Sequence, residues 1–211
     1  MSSTRRSRKP YDSPQRVDAA RRTRAAVVCA FGEILFADGY RATTIRAVAD
    51  RAGVSGETVY KAFGSKQGLI KALWDVTLAG DDEPLAMADR DRAREVLAAD
   101  VPATKVWLYA GSVRDVHERL APLATLLAQA GPEAAAVLAT GERERRISVR
   151  TFVDHLAGCG ALRSGADPSR AADACWALTG TPVFTKLTAE AGWDGATYQQ
   201  WLAEMLTANL L

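Results

Sequence analysis

An all-α fold of about nine helices is predicted by two features of the 211-residue chain: apolar residues recur at helical spacing through most of it, and glycine and proline punctuate the stripes at intervals. The most ordered stretch is Thr43–Lys66, TTIRAVADRAGVSGETVYKAFGSK. Ile45, Val48, Ala49 and Ala52 fall at i, i+3, i+4 and i+7, one face of a short helix that Thr44 can cap. Gly53 is placed to stop it by taking φ > 0, Val54 to anchor the turn, and Ser55 to cap a second helix running to about Phe63. That is the grammar of a helix-turn-helix, with small Ala49 allowing close approach and Val54 and Val59 filling the angle. The other side chains of the second helix, Gly56, Glu57, Thr58, Tyr60 and Lys61, are mostly polar and have no core to enter.

In chain order, residues 1–16 carry Arg5, Arg6, Arg8, Lys9 and Arg16 with Pro10 and Pro14, and read as a flexible basic arm. Residues 17–80 read as one helical domain. Its first helix, about Val17–Ala37, presents Val27, Val28, Phe31, Ile34 and Leu35 on one face and ends at Asp38-Gly39. After the helix-turn-helix, Gly64-Ser65 opens a helix with Leu69, Ile70, Leu73 and Trp74 on its apolar side and Lys66 in its first turn. A lysine there opposes the helix dipole, which suggests a shared anion such as a phosphate. Residues 81–211 form a second helical domain. A short charged helix is expected over Asp89–Ala99, then one from Ala103 to about Leu120 with a kink at Pro122 and a continuation to Gln129. A long helix is expected from Glu133 to about His155, its Arg-rich middle a solvated face with i, i+4 pairs. Asp167-Pro168 starts a further helix, Gly180-Thr181-Pro182 interrupts it, and a last helix follows Gly195.

Charge is segregated. Residues 1–75 carry a net +7 and residues 76–211 a net −5. A basic end with an outward-facing short helix suits a polyanion, whereas the acidic remainder does not. At 48% apolar and 25% charged the chain can bury a substantial core. No apolar run approaches the roughly 18 residues of a membrane span, and MSSTRRSRKP is followed by no apolar export segment, so a cytosolic place and no membrane partner are expected. Cys29, Cys159 and Cys175 are odd in number and widely spaced, which points to buried thiols rather than disulfides or a CxxC metal site. His117 and His155 lie in separate helices with no HxxxH pair and no expected cysteine partner, so no metal or cofactor is expected. GxSxG, GxxxxGK[ST], GxGxxG and HExxH are all missing, which leaves catalysis without a constellation.

The order FADGY, TTIRAVADRAGVS, TVYKAF and GSKQGL resembles the DNA-binding domain of the tetracycline-repressor (TetR) family of transcriptional regulators over roughly residues 20–75. The resemblance implies an N-terminal three-helix helix-turn-helix domain, a more variable C-terminal ligand-binding and dimerisation domain, and a homodimer on double-stranded DNA with a palindromic operator. It also implies roles residue by residue. Thr44, Tyr60 and Lys66 would contact phosphate, and Arg46, Ser55, Gly56, Thr58 and Lys61 would approach base edges or backbone. Glu57 departs from the family's usual glycine, and the preceding position, often larger, is Gly56. A carboxylate facing DNA either accepts from a cytosine amino group or turns away to pair with a neighbouring cation, and the second is favoured.

In the C-terminal half, Trp107, Tyr109, His117, Trp176 and Phe184 are candidate walls for a small, largely apolar organic effector, with plain core packing as the alternative for each. Ala171, Ala174 and Leu178 in one helix and Trp201, Leu202 and Met205 in the last are candidates for a four-helix dimer interface. The alternative for the whole domain is a core filled by its own side chains, answering to a protein partner or to no ligand. A cavity of several hundred Å³ would discriminate the two.

Overall fold

The computed structural model describes residues 14–211, so the expected arm lies largely outside the described residues. It is all-α among those residues, with ten α-helices in two compact units that divide between Ser65 and Lys66.

In the first unit, α1 (Pro14–Ala42) buries Val27, Val28, Phe31, Ile34 and Leu35 as the spacing predicts. The helix is interrupted where expected: Gly39 adopts φ 80°, a region open to glycine, and the chain makes one more turn before Thr43. The buried Thr43 hydroxyl donates to the Gly39 carbonyl at 2.8 Å, which fixes that corner. α2 (Ile45–Ala52) and α3 (Gly56–Phe63) follow. The Thr44 hydroxyl accepts from the Ala47 amide at 3.1 Å, satisfying a donor that a helix start otherwise leaves orphaned. At the other end Gly53 takes φ 67°, ψ 31°, and the amide of Val54 reaches back to the carbonyl of Ala49 at 3.0 Å. That is a Schellman closure. Ser55 caps α3 by accepting from the Thr58 amide at 3.1 Å. Val48 and Val59 are fully buried, Val54 only in part. Two side chains clamp the unit from outside: Arg24 of α1 donates to the Ala62 carbonyl at 3.1 Å and covers the Phe63 ring, and Arg51 of α2 pairs with Glu33 of α1 at 2.9 Å.

The second unit begins with α4 (Lys66–Ala79), which packs on α6 (Pro102–Ala128) and α7 (Pro132–Gly158). A 3₁₀ turn at Met87–Asp89 precedes α5 (Asp91–Ala98). Lys105, buried on α6, donates its ammonium to the Leu97 carbonyl and so caps the end of α5. α6 runs unbroken through Pro122, where a kink and a restart were expected; Leu120, Leu123 and Leu127, all buried, hold the chain in register on both sides of the proline. α8 (Pro168–Leu178) starts at Asp167, whose carboxylate accepts from the Ser169 amide. α9 (Thr181–Thr185) passes into a π-helical turn at Lys186–Glu190, and α10 (Gly195–Leu210) ends the fold under an Asp194 cap. Val106, Val153, Leu156, Cys175, Tyr198, Leu202 and Leu206 form the centre of one core shared by α6, α7, α8 and α10.

Two of the three thiols expected to be buried are not. Cys29 falls off the apolar stripe of α1 and Cys159 sits just past the end of α7, so both are exposed, and only Cys175 is interior. Burial pushes the Cys175 thiol up to about 12, which keeps it protonated and unreactive.

Candidate nucleic-acid interface and C-terminal cavity

In the first unit most of the residues expected at DNA are exposed. Thr44, Arg46, Ser55, Glu57, Thr58 and Lys61 are exposed, Gly56 is half-buried, and Tyr60 is 54% exposed, a high value for an aromatic ring. Ser55 and Thr58 hydroxyls lie 2.9 Å apart, so the first turn of α3 presents a linked pair of donor and acceptor groups. Arg46 is largely exposed, with a 4.0 Å contact to Asp50. Glu57 stands in the first turn of α3, where a carboxylate is favoured by the helix dipole itself. Lys66, read with this surface in the sequence, is the first residue of α4 in the second unit. Burial lowers its pKa, and the carboxylate of Glu133 on α7 works in the opposite direction, so this lysine already has an acidic neighbour.

The second unit contains a cavity of about 1570 Å³ walled by α4, α5, α6, α7 and α9. Tyr109 and His117 line it, as expected from the sequence. Trp107, Trp176 and Phe184 do not. Trp107 points outward and is 46% exposed; Trp176 packs beneath the guanidinium groups of Arg145 and Arg146; Phe184 is buried between His117 and Tyr198. Tyr109 stacks on Phe152 with ring centroids 3.9 Å apart.

His117 is a satisfied core histidine with one tautomer. Its Nε2 is 2.9 Å from the Thr179 carbonyl, which can only accept, so Nε2 carries the proton and Nδ1 is left to accept from the Thr181 hydroxyl at 3.5 Å. Burial lowers its pKa, and the imidazole is neutral.

Arg145 was expected on a solvated face and turns inward instead. It donates to Glu142, to the Trp176 carbonyl and to the Thr179 hydroxyl, the last two at 2.9 Å, and it depresses the pKa of Glu142. The signal was present: Arg145 precedes Val149, Phe152, Val153 and Leu156 by 4, 7, 8 and 11 residues, all on one helical face. Trp74, Arg90, Arg92 and Arg119 also line the cavity, and none was anticipated there. Their helices were legible, but which neighbours face each other across the cavity was not.

Among the dimer candidates, Ala174, Leu178, Trp201 and Met205 are partly exposed on α8 and α10. Ala171 and Leu202 face the protomer's own core, at 7% and 0% exposure. His155 and Cys159 correct the expectation of no histidine–cysteine spacing: one helical turn apart, their Nε2 and Sγ atoms are 3.6 Å from each other. No cluster of three or more potential metal ligands occurs among the described residues. No helix there is long and apolar enough to cross a membrane.

Residues 32–73 match the family model described as bacterial regulatory proteins, tetR family. That segment is similar to the corresponding part of TetR-family regulators. It is similar to an uncharacterized HTH-type transcriptional regulator, YvkB, of Bacillus subtilis (strain 168), at 32% identity over 77 residues. The match covers 36% of this chain and 41% of that protein, so it spans well under half of the relative's length. Two solved structures share the fold over nearly the whole chain. One is the transcriptional regulator FadR from Bacillus subtilis in complex with stearoyl-CoA, at TM-score 0.65 and 16% identity, covering 89% of this chain and 99% of that one. The other is NalD, the secondary repressor of the MexAB-OprM multidrug efflux pump in Pseudomonas aeruginosa, at TM-score 0.67 and 20% identity, covering 92% and 98%. At such identities the likeness is one of fold. The TetR-family match falls on α1 through α4, the segment that contains the doubly capped turn and the exposed α3.

Proposed function

We propose that the chain is a homodimeric transcriptional repressor that reads a palindromic operator with α3 and is released by a small, largely apolar organic effector. The observation that carries the reading is the pairing of two features in one chain. The basic N-terminal segment holds a rigidly capped helix with an exposed polar face, and the C-terminal unit holds a cavity of about 1570 Å³, larger than a packed core leaves. The cavity argues against the alternative of a filled C-terminal domain.

On this reading Thr44 and Tyr60 position α3 against phosphates, Thr58, Lys61, Arg46, Ser55 and Gly56 approach base edges or backbone, and Lys66 adds a phosphate contact. Dimerisation through the exposed sides of α8 and α10, with Ala174, Leu178, Trp201 and Met205, would set two recognition helices about one DNA turn, ~34 Å, apart. The FadR structure contains stearoyl-CoA, and the apolar walls here suit an organic effector too. Effector binding would favour a protomer shape in which α4 is displaced, and it must distinguish the two states by a few kcal/mol to be effective. The test is selection of bound sites from random duplex DNA by the full chain. Inverted repeats with half-sites one helical turn apart are expected; absence of any duplex binding in low salt would refute the reading.

A further inference from the structure

Among the described residues of α3, Val59 alone is fully buried. One side chain in the core is a pivot, and a short rod on one pivot keeps its direction only if its ends are held. The near end is held at Gly53–Ser55, where the Val54 amide closes α2 and the Ser55 hydroxyl caps α3. α2 in turn packs on α1.

The far end is held differently. The carbonyl of Tyr60 accepts from the Gly64 amide and that of Phe63 from the Ser65 amide, both at 2.8 Å, while that of Ala62 accepts from the Arg24 guanidinium at 3.1 Å. The first two donors belong to the chain just past α3 and travel with it. Arg24 belongs to α1. Its guanidinium also lies over the Phe63 ring, 4.4 Å from the centroid. A planar cation that donates at its edge and stacks by its face fixes a point and a plane together, which a lysine ammonium does not. Its charge meets the negative end of the α3 dipole as well.

Resting on the DNA-binding reading, we infer that Arg24 is a positioning residue for base recognition: by tying the far end of α3 to α1 it sets the angle at which that helix is presented. Eight residues make α3 about 12 Å long, so a tilt of about 5° about the joint moves its far end by about 1 Å. A hydrogen bond to a base edge does not survive such a shift. Lys61, next to Ala62, is displaced most, and Ser55, at the joint, least.

Arg24→Met keeps the aliphatic stem and removes the donors and the charge. It is compared with the wild type on the operator recovered by selection and on a random duplex, at a temperature where both proteins are folded. Operator binding is expected to weaken about tenfold, with random-duplex binding and the salt slope unchanged. Equal losses on both duplexes, with a salt slope shallower by about one unit, would make Arg24 a phosphate contact and overturn the inference. A lower Tm with an unchanged operator-to-random ratio, the mark of a purely structural role, would overturn it too. Arg24→Lys keeps the cation and loses the plane; it is expected to lie between the two, and it carries the same comparison should Arg24→Met fail to fold.

The angle is also readable without DNA. Residual dipolar couplings of the α3 amides, referred to those of α1, are expected to shift in Arg24→Met, and unchanged couplings would defeat the inference. A wild type that ignores every duplex while those couplings shift in the variant would refute the DNA-binding reading and leave the tie between α1 and α3 standing.

Discussion

Arg119 of α6 holds the end of α4: its guanidinium donates to the carbonyl of Leu78 at 3.0 Å and to that of Thr77 at 3.2 Å. These are among the last carbonyls of α4, which have no partner within the helix, and a cation at that end also complements the dipole. Arg119→Ala is expected to lower stability by about 1 kcal/mol and Tm by about 2–4 °C. Hydrogen exchange should quicken in the last turn of α4 and stay slow in the centre of α6. Unchanged protection at Leu78–Gly80 would show that the contact is idle.

His117 predicts a pH dependence with a definite sign. Its folded-state pKa lies below the unfolded value because burial disfavours the cation. Above about pH 6.5 both states are neutral and the site adds no slope. As pH falls below that, the unfolded chain takes up a proton that the folded one resists, so stability drops by up to about 1.4 kcal/mol per pH unit until the folded-state pKa is reached. Denaturant midpoints for the wild type should fall between pH 7 and pH 5, and those of His117→Gln should fall less.

At the DNA face, Tyr60→Ala and Lys66→Ala are expected to weaken binding to every duplex alike, with the salt slope of Lys66→Ala shallower by about one unit. Substitutions at Thr58 or Lys61 should instead change which operator is preferred, with about 1–3 kcal/mol at stake for each base-reading contact. Titrations against matched specific and random duplexes at several salt concentrations separate the two classes. Equal losses on all duplexes for all four variants would contradict the assignment.

Gly53 is held at φ 67°, and a side chain there meets no neighbour but does meet its own backbone. Gly53→Ala is expected to cost about 1–2 kcal/mol, read as a lower denaturant midpoint, with weaker operator binding beyond what the lost folded fraction explains. Ala47→Ser, half-buried on the same helix and keeping the backbone amide that donates to Thr44, serves as the control with little change expected.

The helix-turn-helix was legible in the sequence almost to the residue because every local signal there agrees: Thr44, Gly53 and Ser55 sit where the caps require them, and Val48 and Val59 lie on the buried face. Pro122 misled because the local cost of proline is overridden by leucines packed on either side, which only tertiary structure reveals. The cavity was legible as a possibility but not in its walls. Aromatic residues drew attention to Trp107, which points outward, while Trp74 looked like one more apolar residue of α4. Arg145 shows why: charge suggested solvent, yet its register on α7 placed it inside. Opposition across a void depends on residues far apart in the chain, and periodicity speaks only for one helix at a time.

The Schellman closure at Gly53 and the serine cap at Ser55 leave only Gly53–Ser55 between α2 and α3, with hydrogen bonds locking both sides of the gap. Such a joint has no slack to flex. On the proposed reading the pair would travel as a single stiff lever, grip on a duplex would be switched by re-aiming that lever whole, and a mutation that softened the joint would blunt base discrimination with every DNA-facing side chain left in place.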